Sequence, residues 1–110
     1  MLNSRQAVLF LIDGLRPDAI EQAATPAIHR LSLAGASAAK ACSVSPELTL
    51  PCITSLIHSQ PPQQHNVFDN LWTPNAALTP GLFEVVKEGG GSTVAIYSYE
   101  PLRDLGRPES

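Results

Sequence analysis

Three apolar segments of the chain have the pattern of buried strands. Ala7–Ile12 is an unbroken apolar run closed by Asp13-Gly14, and the segments 37–43 and 92–97 are rich in small, apolar or β-branched residues. A continuous rather than alternating apolar run favours a strand that is covered on both faces, as in a parallel sheet. We therefore predict three strands over these ranges.

Helical patterns lie between the predicted strands. Thr25-Pro26 has the residue types of an N-cap and a first helical position, and Gly35 is placed to end that helix. A second helix is predicted after Pro51, and a third from Thr79-Pro80 to the glycines at 89–91. Apolar spacings of three and four residues predict the buried faces of the second and third helices: Ile53, Leu56 and Ile57, then Leu82, Phe83, Val85 and Val86.

The order of these elements indicates the fold class. Strands that alternate with helices favour right-handed crossovers and a parallel sheet between helices. We therefore predict an α/β fold with three layers, a parallel sheet with flanking helices. Three strands make a small sheet with exposed edges. We expect either that residues 1–110 are the N-terminal part of a larger domain or that an assembly, such as a homo-oligomer, covers those edges.

Composition narrows the classes of function. The 110 residues suffice for one domain, and with 44% apolar and 15% charged residues a folded core is expected. A net charge of −3 argues against binding to a nucleic-acid polymer. The longest apolar run has six residues, where a membrane-spanning helix needs ~20, and no signal peptide is recognisable. Two cysteines do not make a disulfide framework. A soluble cytoplasmic protein is expected.

Asp13 is the first candidate for chemistry, because it directly follows the first predicted strand. Ligands of open α/β sheets bind beyond the carboxyl ends of the strands, and a carboxylate there suits a divalent metal. The pair Asp13-Gly14 is also an ordinary turn sequence, and spacing alone favours that simpler interpretation.

Thr49 and Asn70 are the other two candidates. Thr49 precedes a predicted helix, so its hydroxyl is expected near the positive end of a helix dipole and several unpaired backbone N–H groups. Such a hydroxyl is a nucleophile only when a metal or a base activates it. The side-chain amide of Asn70 could donate to a developing oxyanion. The simpler interpretations are an N-cap threonine and a loop asparagine.

Four motifs follow one another along residues 7–70. They are Val8–Asp18, Ala24–Leu31 followed by Gly35, Ser45–Pro51, and Pro62–Val67 followed by Asp69-Asn70. In this order they resemble the type I phosphodiesterase/nucleotide pyrophosphatase family of the alkaline phosphatase superfamily. The spacing from Asp13 to Thr49, 36 residues, also matches that family, and the helix and strand predicted over 79–97 fit the next unit of the family fold.

The resemblance implies a role for each candidate residue. Asp13 matches a metal ligand, Thr49 matches the nucleophile that also contacts metal, and Asn70 matches the asparagine that holds a phosphoryl oxygen. It implies two zinc ions or other divalent metals, a covalent threonine intermediate and a small phosphate-ester substrate. It also implies that residues 1–110 are the N-terminal part of one alkaline-phosphatase-like catalytic domain, whose other metal ligands lie further downstream.

The chain departs from the family pattern at three places. His58-Ser59 stands where the family usually has Thr-Gly, His65-Asn66 where it has His-Gly, and Cys52 where many relatives have Asn. Asn tolerates the left-handed backbone that Gly supplies, so the second change is mild. Neither His58 nor His65 matches a ligand position, and both are expected to be packing or loop histidines.

An alternative function remains open at this stage. Asp13 and Thr49 alone supply fewer than the three protein ligands that a zinc site needs. In that case the chain is a small α/β module without catalysis, either monomeric or oligomeric. Trp72, close to Asn70 in sequence, is either a core or lid residue or an aromatic ring that stacks on a substrate base.

Overall fold

The structure, a computed structural model, describes residues 5–105 and is helical. The chain divides into two compact units, Met1–Ala41 and Cys42–Ser110. Unit 1 contains two helices and unit 2 contains three helices and a final 3₁₀ helix. Their bounds are α1 Pro17–Gln22, α2 Pro26–Ala34, α3 Thr49–His58, α4 Pro62–His65, α5 Leu82–Glu88 and the 3₁₀ helix Glu100–Leu105.

The parallel sheet predicted from the apolar segments is wrong. The described part of the chain contains no strand, and the segments 7–12 and 92–97 have no regular secondary structure. A turn at Ala39-Lys40 interrupts the third segment, 37–43. The apolar side chains face solvent: Phe10 is 80% exposed and Ile96 is 96% exposed. The regular secondary structure within residues 5–105 is therefore helical, and the predicted three-layer α/β arrangement is not present there.

The error has a physical cause. A strand forms only where a neighbouring strand accepts and donates the hydrogen bonds of its backbone. The three apolar segments lie far apart in sequence, so pairing them would require the closure of long loops. An apolar run shows that a segment would gain free energy from burial, but it does not specify the partner that buries it.

The helices of unit 1 are defined by signals close to them in sequence. Both begin with proline, Pro17 and Pro26, at a position where no backbone N–H is needed. The hydroxyl of Thr25 donates to the carbonyl oxygen of Ile20 at 3.0 Å and joins the end of α1 to the start of α2. Gly35 follows α2, as predicted, and its N–H donates to the carbonyl oxygen of Leu31 at 2.9 Å. Neither helix contains a buried residue.

Helix α3 is the centre of unit 2. It contacts α4, α5 and the 3₁₀ helix. The apolar core consists of Leu50, Ile57, Val67 and Leu105, and buried polar side chains lie beside it. The buried face of α3 runs through Leu50, Thr54, Ile57 and His58.

The predicted buried face of α3 is only partly correct. Ile57 is buried, but Leu56 is 53% exposed and Ile53 is only half-buried. The buried face is shifted toward Leu50, which is fully buried. Helix α5 begins at Leu82, two residues after the predicted Pro80, with Gly81 as its N-cap. No helix within residues 5–105 has the length and apolar character needed to cross a membrane.

Candidate functional site

Thr49 is the first residue of α3, and Leu48 is the N-cap. The simpler interpretation of Thr49 as an N-cap threonine is therefore wrong. Leu48 has no polar side-chain atom, so it forms no side-chain cap. The loop before Thr49 is instead held by Cys52, whose Sγ lies 3.7 Å from the carbonyl oxygens of both Val44 and Pro46. Cys52 thus acts as a weak donor to this loop.

Asn70 contacts the same end of α3. The N–H of Leu50 donates to Oδ1 of Asn70 at 3.0 Å, across 20 positions of sequence. Since Oδ1 is used as the acceptor, the other end of the amide is the NH₂ donor group. The structure therefore places two of the three predicted site residues, Thr49 and Asn70, at the first turn of one helix.

The N–H groups that follow Thr49 are already used. Leu50 donates to Asn70, Pro51 has no N–H, and Cys52 donates to the carbonyl oxygen of Leu48 at 3.1 Å. The expectation of several unpaired backbone N–H groups is thus wrong for these three positions. These three residues therefore offer no open N–H group to an anion, and the NH₂ of Asn70 is a side-chain donor that the contact with Leu50 places at this helix end.

His65, a residue that the sequence analysis treated as packing or loop, supports this arrangement. It is fully buried, and its Nδ1 accepts a hydrogen bond from the N–H of Val67 at 3.0 Å. Its Nε2 lies 2.9 Å from Oγ of Ser55 on α3. Because Nδ1 is an acceptor, the proton of the neutral ring is on Nε2, and Nε2–H donates to Ser55.

The ring of His65 remains neutral near pH 7. Its pKa is lowered from 6.5, chiefly by burial and further by the charge of the nearby His58, while a hydrogen bond to the Pro51 carbonyl raises it slightly. The pair Ser55 and His65 has the residue types of a nucleophile and its base. The nitrogen that faces Ser55 carries a proton, however, so it cannot accept one from the hydroxyl. This pair is structural.

His58 lies at the other end of α3 and serves packing, as expected. Its Nδ1–H donates to the carbonyl oxygen of Thr79 at 2.8 Å, and Nε2 is buried with no hydrogen-bond partner among residues 5–105. A Cβ on Gly81 would lie 2.7 Å from Nδ1 of His58, so only glycine fits against the ring.

Gln60 is a buried residue that was not predicted from the sequence. Its side-chain amide donates to the carbonyl oxygen of Ala77 and accepts from the N–H of Thr79. The local sequence around Gln60 does not predict these hydrogen bonds, because the partners lie 17 and 19 residues away in the chain.

The two departures from glycine both fall at left-handed positions. Ser59, which follows α3, has φ 53°, and Asn66, which follows α4, has φ 61°. The expected left-handed backbone at Asn66 is thus confirmed, and Asn is among the residues that tolerate it. Ser at position 59 is less well suited to this conformation.

An open pocket of about 210 Å³ adjoins Asn70. Trp72 lies in its wall, with the indole N–H donating to the carbonyl oxygen of Pro101 at 2.7 Å. Asp104, and Glu100 further away, raise the pKa of the exposed Arg103 guanidinium. The pocket thus combines an aromatic ring with charged groups of both signs. Its lining residues are Asn70, Leu71, Trp72, Glu100, Pro101, Arg103 and Asp104.

Asp13 belongs to unit 1, where the simpler interpretation of Asp13-Gly14 as a turn is confirmed. The N–H of Leu15 lies 3.4 Å from the carbonyl oxygen of Ile12, and Gly14 has φ 72°. A positive φ at the second central residue is the mark of a type II turn and explains the glycine. The metal role of Asp13 stays a prediction.

The described residues offer the types of donor atom that a metal ion accepts, but they offer too few of them in one place. Carboxylate and hydroxyl oxygens, such as those of Asp13 and Thr49, are ligands that divalent cations accept. Within residues 5–105, however, no group of three or more His, Cys, Asp or Glu side chains could hold a metal ion. A complete metal centre therefore needs ligands beyond those that the structure describes.

Comparison with known proteins identifies the relationship of the chain. Residues 7–93 match the family model of type I phosphodiesterase / nucleotide pyrophosphatase. The match includes Asp13, Thr49 and Asn70 and ends before the 3₁₀ helix. No curated protein and no solved structure shows significant similarity to the chain.

Proposed function

On the premise that this chain belongs to the type I phosphodiesterase/nucleotide pyrophosphatase family, we propose that it carries the nucleophile half of a phosphate-ester hydrolase site. Members of this family are generally metal-dependent and act on small phosphate esters. In the proposed reaction Thr49 attacks phosphorus and Asn70 holds a phosphoryl oxygen. The observation that carries the proposal is the 3.0 Å hydrogen bond from Leu50 to Asn70 at the end of α3 where Thr49 lies.

The proposed reaction has two displacements. Oγ of Thr49 loses its proton to solvent as it forms a bond to phosphorus, the ester bond to the alcohol breaks, and the alcohol leaves with a proton from solvent. Water then attacks the threonine ester, which releases the phosphate product and restores the hydroxyl. The Asn70 amide donates to the phosphoryl oxygen as its negative charge increases. The pocket next to Asn70 can receive the part of the ester beyond phosphorus.

We propose zinc as the metal, with Asp13 and Thr49 each supplying one oxygen ligand. A bound divalent ion would lower the pKa of a coordinated hydroxyl and neutralise charge on the phosphate. The remaining ligands are proposed to lie outside the described residues, in the further part of one catalytic domain. Chelation of divalent ions is expected to abolish turnover of the full-length protein, and zinc is expected to restore it better than magnesium.

The decisive experiment removes the hydroxyl of Thr49. Thr49→Ala in the full-length protein is expected to lower turnover of a nitrophenyl phosphodiester by on the order of 10³-fold or more, because the nucleophile is lost. Thr49→Ser is the matched control and should retain part of the activity. Acid quenching followed by mass spectrometry should find the covalent adduct on the peptide that contains Thr49. Undiminished turnover by Thr49→Ala would exclude Thr49 as the nucleophile.

A second candidate is a module without catalysis. The observation that favours it is that residues 5–105 contain no cluster of three or more metal-binding side chains. Calorimetric titration with zinc separates the two candidates. Tight binding of two ions by this chain alone would contradict the second candidate, and a defined dimer without zinc binding would support it.

A further inference from the structure

The segment from His65 to Asn70, called here the Asn70 arm, is joined to α3 at both of its ends. At one end His65 donates to Oγ of Ser55 at 2.9 Å, and at the other Asn70 accepts from the N–H of Leu50 at 3.0 Å. Leu50 and Ser55 are five residues apart on α3, which is about 7.5 Å along a helix axis. The arm therefore lies beside the first half of the helix that begins with Thr49.

The interior of the Asn70 arm is held by the same histidine. The N–H of Val67 donates to Nδ1 of His65 at 3.0 Å, and the side chain of Val67 is fully buried. Further along, the N–H of Leu71 donates to the carboxylate of Asp69 at 2.8 Å, which turns the chain around Asn70. One imidazole ring thus connects α3, through Ser55, to the backbone three residues before Asn70.

We infer that His65 is a positioning residue that sets the place of the Asn70 amide at the start of α3. The expected effect of His65 on catalysis rests on the proposed function, whereas its effect on the position of Asn70 does not. The ring suits this role because both of its nitrogens are bonded in one tautomer. Its complete burial keeps water from competing for either hydrogen bond. Without the ring, the Asn70 arm loses its hydrogen bonds to Ser55 and to the N–H of Val67, and the contact of Asn70 with Leu50 loses that support.

The test follows the backbone amide of Leu50 by NMR in the ¹⁵N-labelled chain. Asn70→Ala defines the position of the Leu50 signal when its acceptor is lost. His65→Leu removes every hydrogen bond of the ring, whereas His65→Asn retains an acceptor close to the position of Nδ1. We expect the Leu50 signal of His65→Leu to move at least half of the way to its position in Asn70→Ala, and that of His65→Asn to move less.

Two controls separate positioning from general loss of stability. Glu84→Ala removes the hydrogen bond between this side chain and the N–H of Gly81 at the start of α5, without touching His65 or Asn70, and it should leave the Leu50 signal in place. Ser55→Ala deletes one hydroxyl and is mild enough to replace His65→Leu if that variant does not fold; its Leu50 signal should move in the same direction. A Leu50 signal that stays unmoved in the folded variants of His65 and Ser55 overturns the positioning role.

Kinetics of the full-length protein supply the second readout. His65→Leu should lower kcat and leave KM within about twofold, because Asn70 acts mainly on the transition state. The loss should not exceed that of Asn70→Ala, which is expected to be on the order of 10²-fold. Full activity in Thr49→Ala together with a moved Leu50 signal rejects the proposed function alone. An unmoved signal together with inactive Thr49→Ala rejects the positioning role alone.

Discussion

Unit 1 and unit 2 use similar helices in different ways. Helix α2 of unit 1 buries no residue, and Leu33 on it is 89% exposed, whereas α3 of unit 2 buries five residues. The two helices have nearly the same length, nine and ten residues. The difference lies in their partners, because α3 contacts three other helical segments. An apolar helix face thus contributes to stability only where another element covers it.

The first prediction tests this difference directly with two matched substitutions. Ile57→Ala in α3 should lower the free energy of unfolding by about 2–5 kcal/mol, since a buried side chain is replaced by a cavity. Leu33→Ala in α2 removes an aliphatic group of similar size from an exposed site, so its effect should stay within about 0.5 kcal/mol. Urea unfolding measures both. Equal effects would contradict the contrast between the two units.

The second prediction concerns pH and again contrasts a buried with an exposed histidine. The pKa of His65 is lowered in the folded chain, so below about pH 6.5 the unfolded state binds the proton first. The stability of unit 2 should therefore be complete above that pH and decrease as the pH falls through the folded pKa. His65→Asn should weaken this pH dependence, and His29→Asn on α2 should preserve it. Urea midpoints between pH 5 and 8 provide the measurement.

The third prediction concerns the end of α3. Ser59 has φ 53°, which costs a residue with a Cβ about 1 kcal/mol or more compared with glycine. Ser59→Gly should therefore raise the free energy of unfolding by roughly 1 kcal/mol, although glycine usually destabilises a chain. In unit 1, Gly14→Ala makes the opposite change at another residue with positive φ, 72°, and it should destabilise the turn. Thermal unfolding of both variants measures the effects, and a lower melting temperature for Ser59→Gly would refute the strain argument.

The smallest expected effect is that of an ion pair in unit 1. Arg16 and Asp18 form two hydrogen bonds of 3.0 Å, but both side chains are well exposed. Exposed pairs of this kind contribute about 0.2–1 kcal/mol and less at high salt. Asp18→Asn should therefore change the free energy of unfolding by no more than about 0.5 kcal/mol. Urea unfolding at low and high salt checks this, and a larger loss would show that unit 1 depends on the pair.

Some features of this protein were determined by the sequence alone, because their causes lie within a few residues. Pro26 and Gly35 bound α2 as predicted, Asp13-Gly14 forms a turn, and Asn66 has a left-handed backbone. The ordered motifs around Asp13, Thr49 and Asn70 also identified the family, which the match over residues 7–93 confirms. A short motif consists of residues that are close together in sequence, so it can be recognised without knowledge of the rest of the fold.

Other features were decided only by the tertiary structure. The sequence indicated that Ala7–Ile12 was apolar but not that it would lack a strand partner, and it placed the buried face of α3 around Leu56 rather than Leu50. The contact of Asn70 with Leu50 and that of His65 with Ser55 were not visible in any local pattern. Each depends on groups that are ten or twenty positions apart in the chain. Such groups meet only when the whole unit packs, because hydrogen bonding and burial are set by neighbours in space.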